Sequence, residues 1–201
     1  MTTTRKAQAA ETETALKQAA KRVFAERGYL NTKITDITAE AGRAAGSFYN
    51  HFAGKEALLE ALLEDMLAEG DESVLTDATH SADFTDRSAV RWHVAAHWRF
   101  YRAHLPEMVA LRQAAMVNAD FARRLQQLMT EDAAHMREHL SHVRDLPGDP
   151  GLVISAMYSL LDQFAYTWLV AGGDGTGLTL TDDDAVELLT ELLHRGIVGP
   201  G

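Results

Sequence analysis

Apolar positions recur at three- and four-residue intervals almost throughout the chain, the period of amphipathic α-helices. Leu16, Ala20, Val23 and Phe24 share one face and predict a first helix over about 12–27, with Gly28 as its C′ residue. Thr32 is placed to cap a short helix over 33–41, whose inward positions are Ile34, Ile37 and Ala41. Gly42 breaks the chain. A second short helix follows over about 44–52, with Phe48 and Phe52 inward. Lys55 opens a longer helix that carries Ala57, Leu58, Ala61, Leu62 and Met66 and reaches about Glu69. Residues 70–83 are polar and read as a loop. Further helices are predicted over about 86–104, 106–118, 119–144, 150–171 and 181–194. Pro106 suits a first helical position. The run 145–151 (DLPGDPG) is a turn, and 171–177 (AGGDGTG) is a glycine-rich connection. No alternating run reads as a strand. The expected fold is all-α, about nine helices, three of them before residue 53.

Two short helices joined by a glycine-containing turn carry the helix-turn-helix pattern. In that arrangement the first helix offers N-terminal amides to phosphate, and the second lies in the major groove. The outward positions fit: Ala44, Ala45, Gly46, Ser47, Tyr49, Asn50 and His51 are small, polar or aromatic. Periodicity alone also allows a plain αα-hairpin within a bundle.

Charge sharpens the choice. The 201 residues carry a net −10, which as an average argues against nucleic acid. Residues 1–55, however, hold nine bases against five acids, a net of +4; residues 56–201 hold ten against 24, a net of −14. Such asymmetry marks one nucleic-acid-facing domain and one with another task. We therefore expect a DNA-binding domain over 1–54 and a second domain over 55–201. With no cysteine, a disulfide scaffold, a thiolate zinc site and a thiol nucleophile are excluded. The polar start lacks a signal-peptide core, and the longest apolar stretch, 164–171, is far too short to cross a bilayer. A cytoplasmic location without membrane contact is expected.

The stretches Phe24-Ala25-Glu26-Arg27-Gly28-Tyr29, Thr32 to Gly42, Gly46 to Phe52 and Lys55-Glu56-Ala57-Leu58-Leu59 resemble the DNA-binding domain of the tetracycline-repressor (TetR) family. The resemblance covers about residues 12–60. It implies that Thr32 and Lys33 approach phosphate and that Thr35 points toward the groove. Ala45, Gly46 and Tyr49 would lie against bases, with Ser47, Asn50 and His51 on bases or backbone. Lys55 would hold a phosphate. Three residues depart from the family pattern. Arg43 replaces an apolar turn residue and adds a candidate phosphate contact. Ala44 replaces a Ser/Thr cap, at about 1 kcal/mol. Ala45 offers a methyl where longer polar side chains are common, favouring thymine-methyl contact or shape readout.

The resemblance further implies that the remaining helices bind a small effector and dimerise. The helix over about 150–171 carries apolar residues on more than one face, as does the one over about 181–195. Docked against their symmetry mates they would form a four-helix interface; burial within a monomer core is the alternative. A largely hydrophobic ligand is expected among Met66, His97, Trp98, Tyr101, Met108, Phe121, Leu125, Met129, Met157, Leu161, Phe164 and Trp168, since methionine and aromatics suit an adaptable apolar pocket. An ordinary core uses the same residues. His93 and His97 are spaced i, i+4, and Asp132, His135, His139 and His142 follow one helical stripe. Without a glutamate beside the first histidine this is a weak metal pattern, and neither a metal nor another cofactor is expected. The expected function is a homodimeric transcriptional repressor released from a near-palindromic operator by that ligand, and not an enzyme. The alternative is a metal-dependent enzyme using the histidines.

Overall fold

The structure is a computed structural model describing residues 5–77, 79–132 and 135–199; the side chains of 71–76 and of Asp132 lie outside the description. Among the described residues there are ten α-helices and no strand. In order they are α1 (Arg5–Arg27), α2 (Ile34–Glu40), α3 (Ala45–Phe48), α4 (Lys55–Thr76) and α5 (Arg87–Ala103), then α6 (Leu105–Val117), α7 (Ala119–Asp132), α8 (Met136–Leu140), α9 (Pro150–Ala165) and α10 (Asp182–Val198). A π-helical turn, Tyr166–Val170, extends α9. No described helix is long and apolar enough to cross a membrane.

The chain divides into two compact units. The first takes the residues up to Glu69 together with Leu105–Gln127; the second takes Gly70–His104 and the chain from Leu128 onward. In the first unit, α1 packs against α2 and α6, and α2 against α3. Leu16, Ala20, Phe24, Ile37, Phe48, Leu58, Leu62 and Met66 are buried there. The buried Glu107 carboxylate is met by Lys21 at 2.9 Å, the compensation a buried charge needs. In the second unit α5 packs on α9 and α10, and α8 on α9. Its core includes Phe84, Val90, Val94, Trp98, Leu140, Met157, Leu161 and Leu189.

Several boundaries move from their expected places, each for a local reason. The first helix starts at Arg5. Thr12 lies inside it, its hydroxyl donating to the Gln8 carbonyl one turn back (3.0 Å), and the preceding Lys, Ala and Gln are good helix formers. Gly70 does not stop α4, which runs to Thr76; one glycine costs about 1 kcal/mol, too little to end so long a helix. The expected helix over 119–144 ends at Asp132, and α8 begins at Met136. The apolar positions on either side serve different cores, Phe121 in the first unit and Met136 and Leu140 in the second. The last helix continues past His194 because Ile197 is still buried. Thr181 and Asp184 close a reciprocal capping box at its start, and three aspartates in the first turn suit the positive end of the helix dipole.

Candidate nucleic-acid interface

The turn between α2 and α3 is built by hydrogen bonds to its own helix end. Gly42 NH donates to Ala39 O (3.1 Å) and Arg43 NH to Thr38 O (2.9 Å). That is a Schellman closure, with Gly42 in the left-handed region at φ 63°. The start of α2 is capped differently from expectation. Thr32 is buried, and its hydroxyl donates to Gly28 O (2.7 Å). Lys33 is the N-cap residue, and the Asp36 carboxylate accepts its backbone NH (2.8 Å). The second short helix is also shorter than predicted, Ala45–Phe48 followed by a turn through His51. Ala44 supplies no side-chain cap; the Ser47 hydroxyl donates to Ala44 O (2.8 Å).

Phe48 is the anchor of α3. It is fully buried, with Tyr49 edge-on to it and Phe52 tilted against it, each at a ring-centroid distance of 5.6 Å. The rest of the segment is left outward. Ala45, Gly46 and Asn50 are exposed, and Tyr49 is 63% exposed despite its size. Lys33 and Thr35 are exposed on the neighbouring helix start. An open cleft of about 560 Å³ joins these two surfaces, lined by Thr32, Lys33, Ile34, Thr35, Tyr49, Gly54, Lys55 and Glu56.

Four of the expected contact residues are otherwise engaged. The Lys55 ammonium donates to Tyr29 O (2.9 Å) and Thr32 O (2.6 Å) and lies 4.1 Å from the Tyr29 ring centroid. Burial lowers its pKa, opposed by the nearby Glu56 and Asp36 carboxylates. Only one of its three N–H groups remains for a phosphate. Arg43 pairs with Glu11 at 3.1 Å, and His51 is largely covered, 3.7 Å from Glu13. Thr32 is committed to Gly28 O as above. The bracing continues through Tyr29, whose hydroxyl donates to Glu56 (2.7 Å) and whose NH donates to Gln113 (2.9 Å). Helix patterning alone did not reveal these contacts: Glu11 rides on the unexpected N-terminal extension of α1, and Glu13 lies in its first expected turn, 38 residues from His51. Replacing Lys55 by methionine is expected to lower stability by about 1–3 kcal/mol, the loss of hydrogen bonds from a cation to partly buried carbonyls. A urea titration followed by circular dichroism checks this; an unchanged midpoint would show those carbonyls well served by water.

A two-helix unit with a Schellman turn, a buried aromatic anchor and an outward face of small, polar and aromatic residues is what groove reading requires. The family model described as "Bacterial regulatory proteins, tetR family" matches residues 16–62, the same segment. Residues 16–62 thus match the TetR family over its DNA-binding segment. The HTH-type transcriptional repressor DhaR of Mycobacterium sp. (strain GP1) is 47% identical over 47 residues, 23% of this chain and 24% of that protein. The match thus spans about a quarter of that relative's length. Beyond it the likeness is one of fold. A putative TetR-family regulator from Syntrophomonas wolfei superposes with a TM-score of 0.74 at 19% identity, covering 94% of this chain and 96% of that one. FadR from Bacillus subtilis, solved with stearoyl-CoA, gives 0.69 at 20% identity over 94% and 99%.

The expected ligand residues fall in both units. Met66 and Phe121 are buried in the first, where Met108 and Leu125 are half-buried. In the second, Tyr101, Met157 and Leu161 are buried, and Met129 is half-buried. Trp98 is buried and its indole donates to Asp182 (2.8 Å), which fastens α5 to α10. Trp98, Phe164 and Trp168 form an aromatic row, with centroids 6.1 and 6.0 Å apart. His97 Nε2 lies 3.1 Å from Asp162 Oδ1, yet neither atom makes a hydrogen bond. The histidines group otherwise than their spacing suggests. His93 is not paired with His97 but meets His80 and His139. His142 is exposed, and the side chain of Asp132 lies outside the described part.

Proposed function

We propose that this protein is a DNA-binding transcriptional repressor, read from its exposed α3 face. Residues 1–54 contact the operator, and residues 55–201 bind an effector and dimerise. The observation that carries this reading is Tyr49, a large aromatic held out in solvent beside Lys33 and Thr35 by the burial of Phe48. Exposing that much ring surface has no packing rationale, whereas base edges and thymine methyls offer it a partner. The family match over 16–62 and the repressor DhaR at 47% identity support it.

Lys33 meets phosphate and Tyr49 meets bases. Arg43 and His51 reach DNA only after leaving Glu11 and Glu13, and Lys55 acts mainly by holding the entrance to α2. Ala45, Gly46, Ser47 and Asn50 complete the reading surface, and Thr35 faces the groove edge. The effector is largely apolar with one polar group. The aromatic row of Trp98, Phe164 and Trp168 supports the first property, and the buried His97 Nε2 and Asp162 Oδ1, 3.1 Å apart without a hydrogen bond, support the second, since buried polar atoms are normally hydrogen-bonded. FadR of Bacillus subtilis holds stearoyl-CoA, which makes long acyl thioesters the first class to try. Release requires only that the effector bind the DNA-incompetent form more tightly.

The test is a footprint on the DNA flanking the protein's own gene, across a range of salt. Sequence-selective protection that weakens with salt is expected. Tyr49→Ala is expected to lose selectivity by about 1–3 kcal/mol per site while Lys33→Ala weakens all sequences alike and flattens the salt slope. No selective protection would overturn the reading, and equal loss of selectivity in both variants would overturn the assigned roles.

A further inference from the structure

Three histidines from three separate stretches meet in the second unit. His80 lies in the segment between α4 and α5, His93 on α5 and His139 on α8. His80 Nε2 is 3.3 Å from His93 Nε2 and 3.1 Å from His139 Nε2. One donor atom from each ring lies within 4.8 Å of the others. Phe84, fully buried, is edge-on to both the His93 and His139 rings at 4.9 and 5.2 Å. Trp92 closes the other side, 4.8 Å from the His80 ring, and is itself held by a hydrogen bond from its indole to Asp77 (2.8 Å).

The tautomers follow from the outer hydrogen bonds. His93 Nδ1 is 2.9 Å from Ala89 O, and His139 Nδ1 is 3.3 Å from His135 O. A carbonyl only accepts, so each of these Nδ1 atoms carries the proton and each Nε2 presents a bare lone pair. His80 Nε2 faces both lone pairs. With a proton there it satisfies one of them and leaves the other unmet in a half-buried, aromatic-walled site. A cation at the centre satisfies all three lone pairs at once, with the His80 proton on Nδ1. Zinc–nitrogen bonds of about 2.0–2.1 Å at the tetrahedral angle put ligand nitrogens about 3.3–3.4 Å apart, close to the two separations observed. A backbone carbonyl behind the remaining ring nitrogen is the usual support of a metal-bound imidazole.

We propose that His80, His93 and His139 bind one divalent transition-metal ion of the zinc class through their Nε2 atoms, with water in the fourth position. Neutral imidazoles select borderline ions such as Zn²⁺ and Co²⁺ over Mg²⁺ or Ca²⁺, which prefer oxygen. The ion ties the segment around His80 to α5 and α8. This assignment stands apart from the DNA-binding reading and from the apolar effector.

The test uses the full chain, stripped with a chelator and titrated calorimetrically with Zn²⁺. One equivalent per chain is expected, with Mg²⁺ giving no saturable signal. His80→Ala and His93→Ala are each expected to weaken binding at least about 100-fold, more than the loss of an outer hydrogen-bond partner costs. His142→Ala, an exposed histidine outside the cluster, is expected to bind as the wild type does. X-ray absorption of the zinc-loaded wild type is expected to show three imidazoles and one oxygen, a readout independent of whether the variants fold. Absence of saturable binding, equal affinity in His80→Ala, or fewer than three imidazoles around the ion would each overturn the proposal.

Discussion

Phe48→Ala is expected to cost about 3–5 kcal/mol and to abolish selective DNA binding together. The first effect follows from cavity formation at a site with no exposure at all. Phe48 is the one buried residue of α3, and a four-residue helix has no stability of its own. Its ring is what joins Tyr49 on one side to Phe52 on the other. Without it nothing orients Ala45, Gly46 and Tyr49 as a face. Tyr49→Ala is the comparison, because that side chain is already in water and its removal is expected to leave stability within about 0.5 kcal/mol. Urea unfolding followed by far-ultraviolet circular dichroism, with a footprint on the same samples, separates the two. A Phe48→Ala protein with wild-type stability and lost binding would mean that the ring touches DNA itself. One with lost stability and intact selectivity would mean that α3 is held by something other than Phe48.

The helix-turn-helix was legible because its constraints are local. Gly42 needs a positive φ, Ile37 and Phe48 need a core, and the turn length fixes where Ala45 and Tyr49 face. What patterning missed were contacts between residues distant in sequence. Lys55 looked like a phosphate-binding point charge because it opens a helix in a basic stretch, but two carbonyls 23 and 26 residues earlier claim it. Arg43 and His51 looked available because their partners Glu11 and Glu13 lie 32 and 38 residues earlier, Glu11 on a stretch with no apolar face to announce a helix. The histidine grouping was hidden most deeply. His80 sits 13 residues from His93 and 59 from His139, in a segment with no periodicity. The i, i+4 rule paired His93 with His97 instead, and that residue faces Asp162. Helix spacing reports which residues share a face, and not what that face meets.

The second large effect concerns the last two helices. Leu188 and Leu192 on α10 are 45% and 53% exposed, and Leu152 and Leu160 on α9 are 71% and 36% exposed. On α9 the exposed positions 152, 155, 156, 159, 160 and 163 advance by three or four, a continuous stripe of leucine, alanine, serine and glutamine. Leu188 and Leu192 lie one turn apart, and the glutamates beside them, Glu187 and Glu191, are turned to Arg87 and Arg91 on their own chain. Both helices therefore present small and apolar surface with its neighbouring charge already neutralised, as a twofold interface requires. Leu188→Asp with Leu192→Asp is expected to weaken a homodimer by a factor of about 1,000 or more. Each leucine loses about 2 kcal/mol of burial, four are affected across the twofold axis, and the new carboxylates face each other. Two linked half-sites then become two independent ones, so operator affinity falls while each half-site contact is unchanged. Sedimentation velocity over a concentration series reads the first effect, and footprints on full and half operators read the second. A double variant that sediments as the wild type does would place the dimer contact elsewhere. A wild-type protein that is already monomeric would leave the stripe as plain surface and require each α3 to read its site alone.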